Sequence, residues 1–156
     1  MNLVKLIISI IICQLAGGIG ALFTTSAIPT WYKTLNKPVF SPPNWLFGPV
    51  WTLLYALMGI SAYLIYQEGI GKKEVRAALV IFGGQLVLNA LWSILFFGLK
   101  NPLLAFGEII LLWLFIILTI IKFYALNRTA AYLLLPYLFW VSFASILNFS
   151  IWYLNK

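Results

Sequence analysis

The chain has 156 residues, of which 63% are hydrophobic and only 8% charged, and a formal net charge of +7; its mean hydropathy is +1.03. Soluble domains carry roughly a quarter charged residues, so the composition excludes an ordinary soluble domain and predicts an integral membrane protein. The absence of histidine and the single cysteine, Cys13, exclude intrachain disulfides, the usual His or Cys metal sites and hydrolysis through a histidine base; no metal or cofactor is expected.

Charge-free apolar runs long enough to cross about 30 Å of hydrocarbon predict helices over 6–27, 44–66, 77–97, 103–122 and 130–153. Only the fourth contains an acidic or basic residue in its interior, Glu108, with Lys122 at its very end. Period-2 alternation over ten-residue strands is absent, which argues against a closed barrel. The remaining fold class is an all-α membrane protein: one integral membrane domain over residues 1–156, built as a bundle of five transmembrane helices. Spans and links use almost the whole chain, leaving no room for a soluble catalytic or nucleic-acid-binding domain. No nucleic-acid partner is expected, and function must lie in the membrane or at its surface.

In the first span Lys5 precedes the apolar run as in a secretory signal, but no small-x-small cleavage site with a polar mature domain follows, so the span is expected to be retained. Gln14, Gly18, Ala21 and Thr25 share one helical face whose small residues permit close approach, and that face is expected to meet protein.

Next comes the most informative segment, Trp31 to Tyr55, WYKTLNKPVFSPPNWLFGPVWTLLY. Pro29, Pro38, Pro42, Pro43 and Pro49 lie in or just before it, each fixing φ and restricting the residue ahead. The segment can therefore be ordered without being helical. Trp31, Tyr32, Phe40, Trp45, Phe47 and Trp51 are more aromatics than a solvated link needs. The expectation is a Pro/aromatic-rich loop capping a pocket.

Trp51, Tyr55, Met58 and Ala62 form one stripe on the second span, and Gln85, Asn89, Trp92 and Phe96 another on the third. Amides at membrane depth need partners. Gly83 and Gly84, with Ala77, Ala78 and Ala90, offer a smooth surface that suits homodimerisation and intramolecular packing equally. Glu108, about two turns inside the fourth span, should be neutral or partnered. The leading expectation is a hydrogen bond to another helix or snorkelling to the interface; a proton or substrate role is the alternative. On the fifth span Tyr137, Trp140, Ala144 and Asn148 share a face after Pro136, which interrupts one backbone bond and can bend the helix.

Ordinary helix packing explains Met58, Ala62 and Phe96 equally well. It explains less well why Trp51, Trp92 and Trp140 fall near polar partners such as Asn89, Asn148 and Tyr55. Trp113 and Trp152 are expected to be interfacial anchors. Basic residues sit at span ends, where they orient helices. With a cytoplasmic amino terminus that side holds Lys5, Lys72, Lys73, Arg76, Lys122 and Arg128, against Lys33, Lys37, Lys100 and Lys156 opposite. This six-to-four bias supports that orientation for a multi-pass protein of the cell membrane.

Taken together, Trp31-Tyr32, Leu35, Lys37-Pro38, Pro42-Pro43, Trp45, Gly48-Pro49-Val50-Trp51, Leu54-Tyr55 and Met58-Gly59 make a spaced signature. Gln85, Asn89, Trp92, Phe96-Phe97, Glu108, Pro136-Tyr137, Trp140, Phe143-Ala144, Leu147-Asn148 and Trp152 extend it. Over nearly its whole length the chain thus resembles the translocator protein family, also called the tryptophan-rich sensory protein or peripheral-type benzodiazepine receptor family, in its bacterial form.

The resemblance implies a five-helix bundle, a homodimer, and a pocket closed by the loop after the first helix. It implies binding of protoporphyrin or a related tetrapyrrole and of synthetic isoquinoline carboxamide or benzodiazepine ligands, with membrane lipid around the bundle. It further implies light-dependent porphyrin breakdown through Trp51 and Trp140, the two candidate catalytic residues. Tyr32, Pro42, Asn89, Ala144 and Leu147 follow by position as pocket wall, beside Trp51, Tyr55, Trp92 and Trp140. A flat tetrapyrrole can stack on indoles, and Lys33 or Lys37 at the mouth could meet its carboxylates.

Cholesterol, a ligand of animal relatives, is not expected. Where those relatives carry a tyrosine and a basic residue at the end of the fifth helix, this chain has Phe149 and Tyr153. Leu147, Tyr153 and Lys156 satisfy only a loose form of the pattern that matches many helix ends.

Two other functions compete with tetrapyrrole binding. One is a transporter of such compounds, although inverted repeats, broken helix pairs and several buried charges are all missing. The other is a regulatory or scaffold protein whose ligand shifts partner binding.

Overall fold

A computed structural model describes residues 1–156. It is all helical: α1 (Leu3–Ala27), α2 (Phe47–Gln67), α3 (Lys73–Ser93), α4 (Pro102–Leu126), α5 (Arg128–Leu133) and α6 (Leu135–Leu154). Five segments are long and apolar enough to cross a membrane, the last formed by α5 and α6 together. The chain is therefore a multi-pass membrane protein built as a five-helix bundle.

Side-chain chemistry sets the helix ends more closely than hydropathy does. Asn2 caps α1 by accepting from the Lys5 N–H, so the helix starts at Leu3 rather than at residue 6. Asn101 caps α4 in the same way through the Leu104 N–H, with Pro102 in the first turn, where its missing N–H costs nothing. Lys122 lies inside α4, which runs one turn past the expected end at 122. The third span ends in a π turn at Ile94–Gly98, closed by Leu99 N–H donating to the Ile94 carbonyl at 2.8 Å. The fifth span is not one helix over 130–153. It breaks at Leu134, because Pro136 has no N–H with which to continue the ladder.

α1 packs on α2 and α3, α3 on α4, α4 on α6, and α2 on α5. With lipid outside, close packing and interhelical hydrogen bonds hold such a bundle together. At Gly59 an added Cβ would lie 2.5 Å from the Ile10 Cα. Only glycine permits that approach, and Ser9 Oγ joins it by donating to the Gly59 carbonyl at 2.7 Å. Nearby, Ser61 Oγ donates to the Ala130 carbonyl at 2.7 Å, tying α2 to α5. Met58, Ile65, Ile116, Phe123 and Val141 fill this end as one apolar core, in which Phe82 stacks on Phe123 at 5.7 Å. The opposite end, under the loop between α1 and α2, is hollow.

Of the small residues on α3, Gly84 meets α4: its Cβ would approach the Phe115 ring at 3.1 Å. Gly83 has open space beside it. Glu108 departs from the leading expectation. It is 9% exposed, and both carboxylate oxygens are buried without a hydrogen-bond partner, so it neither snorkels nor bonds to another helix. Its neighbours Ala105, Ile109 and Leu112 on α4 are apolar and buried, which leaves it nothing to pair with there.

Candidate functional site: a tryptophan-walled cavity beneath the loop

The hollow end holds a cavity of about 470 Å³, within the range of roughly 300–1,000 Å³ common for small-molecule sites. α1 contributes Gly17 and Gly20, which allow close neighbours. A Cβ at Gly17 would lie 2.5 Å from the Tyr55 ring, and one at Gly20 would lie 2.9 Å from Ser93 Oγ. The Gln14, Gly18, Ala21 and Thr25 face does not pack flat on a helix. Gln14 Nε2 donates to the Thr52 carbonyl at 2.9 Å, while Gly18, Ala21 and Thr25 border the cavity and remain exposed.

α2 brings Trp51 and Tyr55 inward, stacked on each other at 5.6 Å, with Trp51 also edge-on to Tyr137 at 6.2 Å. α3 brings Asn89 and Trp92. The π turn then carries Phe96 and Phe97 to the same wall: Trp92 stacks on Phe96 at 5.0 Å, and Phe97 meets it edge-on at 5.9 Å. Such turns are frequent at functional sites. α6, which begins after the break at Leu134, supplies Trp140, Ala144, Leu147, Asn148 and Ile151.

The indole of Trp92 and the amides of Asn89 and Asn148 in this wall are paired. Trp92 Nε1 donates to Asn148 Oδ1 at 2.9 Å, and Asn148 Nδ2 donates to the Pro102 carbonyl at 2.8 Å. Tyr55 donates to Asn89 Oδ1. Asn89 Nδ2 donates to Tyr137 Oη at 2.8 Å, and Tyr137 donates to Gln85 Oε1 at 2.7 Å. The amides at membrane depth therefore have the partners they require. The indoles of Trp51 and Trp140, unlike those of Trp92 and Trp113, donate to no acceptor in the protein.

The loop closes the top. Tyr32 is buried and tilts over Phe97 at 5.7 Å, Trp31 meets Phe96 edge-on at 5.6 Å, and Phe40 meets Phe143 at 6.2 Å. Burial pushes the Tyr32 hydroxyl above its ordinary range, so it stays neutral at physiological pH. Lys37 Nζ sits 4.5 Å over the Tyr32 ring; Lys33 is exposed.

Trp51, Trp140, Tyr32, Tyr55, Asn89, Trp92, Ala144 and Leu147 thus come together around one cavity. Pro42 does not line it and lies in the loop, half-buried. A model of the TspO/MBR family matches residues 9–154 of this chain. The chain belongs to the TspO/MBR family. Tryptophan-rich protein TspO of Archaeoglobus fulgidus is 50% identical over 156 residues, covering 99% of both chains. Tryptophan-rich protein TspO of Chlorobaculum tepidum is 44% identical over 154 residues, covering 99% of this chain and 98% of the relative. The translocator protein of Bos taurus is 37% identical over 144 residues, covering 92% and 85%.

Sequence reasoning missed several wall residues of this TspO/MBR-family cavity, among them Gly17, Gly20, Ser93 and Ile28. The glycines were within reach of pattern reading, since Gly17, Gly20 and Thr24 follow helical spacing. Ser93 was too, lying one turn after Asn89 on α3; Phe97 joins Phe96 in the wall because the π turn at Ile94–Gly98 shifts the register by which a straight helix assigns its faces.

Proposed function

We propose that this TspO/MBR-family protein binds protoporphyrin or a related tetrapyrrole in the cavity beneath the loop, promotes its light-dependent oxidative breakdown, and accepts benzodiazepine-receptor-type ligands in the same space. The observation that carries this reading is the presence of Trp51 and Trp140 in one cavity wall, each with an indole N–H unpaired within the protein. A flat aromatic guest gains stacking contact from such walls. The porphyrin absorbs the light itself and molecular oxygen is the oxidant. An indole in contact with the excited ring gives up an electron or traps a reactive oxygen product. No acid, base or metal is needed for that step. The cell membrane is the proposed location.

The test is illumination of protoporphyrin-loaded protein in detergent or nanodiscs, followed by product analysis. Trp51→Phe and Trp140→Phe are expected to retain binding, read by fluorescence quenching, and to slow degradation. Wild-type degradation in both variants would refute the assignment. The proposal extends to a homodimer through α3, where Val80, Gly83 and Val87 form an outward stripe with both valines well exposed. Cross-linking in native membranes that returned only monomer would remove that part.

A further inference from the structure

We infer that Met58 and Gln85, neither of which lines the cavity, set the hydrogen-bonding polarity that Tyr55 presents to a guest, so that the inner end of the cavity selects ligands carrying a hydrogen-bond donor. This rests on the reading of the cavity as a ligand site and specifies the chemistry of its guest.

Four buried groups run inward from the cavity in a single file: Tyr55, Asn89, Tyr137 and Gln85. Tyrosine hydroxyls and side-chain amides can each donate and accept. Such a file has two self-consistent directions. In one, every donor points inward: Tyr55 to Asn89, Asn89 to Tyr137, and Tyr137 to Gln85. In the other, both amides are turned over, and each donor points back toward the cavity. The two differ in what a ligand meets. In the first direction the Tyr55 proton is engaged by Asn89, and Tyr55 itself turns only hydroxyl lone pairs to the cavity. In the second, Asn89 donates to Tyr55, and the hydroxyl proton is free for the ligand.

The far end of the file decides between them. Gln85 Nε2 lies 3.8 Å from Met58 Sδ. A thioether accepts weakly and cannot donate, so it suits the amide N–H₂ of Gln85 and offers nothing to its carbonyl. Both residues are fully enclosed, Met58 at 0% and Gln85 at 1% exposure, so water cannot stand in for a missing donor. Turning Gln85 over would bury its carbonyl against sulfur lone pairs with no partner, a loss of the kind that folded proteins avoid. With Gln85 Oε1 thus turned toward Tyr137, Tyr137 must donate to it and accept from Asn89 Nδ2. Asn89 Oδ1 then accepts from Tyr55. The sulfur of Met58 is relayed through three side chains into an acceptor at the cavity wall.

The test measures affinities of three apolar probes for the full-length protein in nanodiscs: phenylindole, which has one N–H donor; its N-methyl derivative, which has none; and phenylquinoline, which has only an acceptor. Wild-type protein is expected to favour phenylindole over the other two by roughly five- to tenfold, as one buried neutral hydrogen bond allows. Gln85→Leu removes the acceptor for Tyr137. Tyr137 then donates to Asn89, the file reverses, and the preference should invert toward phenylquinoline. Met58→Leu, a volume-conserving change, removes the anchor and should bring the probes near parity. A structural role alone would weaken all three together and could not invert their order. Equal wild-type affinities would overturn the polarity while leaving the cavity a ligand site, as would a donor preference that survives Gln85→Leu. If none of the three probes binds, the cavity reading falls with it.

Discussion

Asn155, just past the end of α6, clasps the backbone of Asn36 in the loop: its Oδ1 accepts from the Asn36 N–H at 2.9 Å, and its Nδ2 donates to the Asn36 carbonyl at 2.8 Å. The two residues stand 119 positions apart. A segment with few regular backbone bonds of its own is thereby tied to the last helix, next to the rings that close the cavity. Asn155→Ala should leave the bundle folded and loosen the loop, since each exposed hydrogen bond contributes about 1 kcal/mol. Hydrogen exchange at 34–38 should rise severalfold with little change at α2 or α3. Unchanged protection there would mean that aromatic packing alone holds the loop.

Gly17 and Gly18 are neighbours with opposite surroundings. A Cβ at Gly17 would press on the Tyr55 ring at 2.5 Å, whereas one at Gly18 would meet nothing within 4 Å. Gly17→Ala should displace Tyr55 and weaken guest binding, with protoporphyrin quenching as the readout. Gly18→Ala should bind as wild type and gain up to about 1 kcal/mol from helix propensity. Equal effects of the two substitutions would contradict this wall geometry.

Gly59 lies at a close approach of α1 and α2, and its virtual Cβ meets backbone rather than a yielding side chain. Gly59→Ala should force α1 outward and cost roughly 1–3 kcal/mol, as overpacking does. Thermal unfolding in detergent measures the loss, and a melting temperature equal to wild type would exclude so close a contact.

Glu108 contributes two buried oxygens without partners and does not line the cavity. Replacing an unpaired polar group by an apolar one of similar volume removes a desolvation cost of about 1–3 kcal/mol. Glu108→Met should therefore raise the melting temperature and leave protoporphyrin affinity unchanged. A fall in affinity with a preserved fold would return Glu108 to a direct functional role.

Hydropathy alone determined the five spans, the all-helical class and the confinement of function to the membrane, because an apolar run must satisfy its backbone within itself. Pattern spacing also marked most of the cavity wall: Trp51 with Tyr55, Asn89 with Trp92, and Trp140 with Ala144 lie one turn apart on straight helices, where faces follow arithmetic. Tertiary structure decided what that arithmetic could not. The break at Leu134 divides the fifth span in two, and the π turn at Ile94–Gly98 brings the adjacent Phe96 and Phe97 both to the cavity. Pro42, placed in the wall by the family resemblance, falls outside it. Glu108 has no partner because pairing depends on what a neighbouring helix brings opposite, not on local spacing. The direction of the hydrogen bonds from Tyr55 to Met58 likewise joins three helices, and no single stretch of chain contains it.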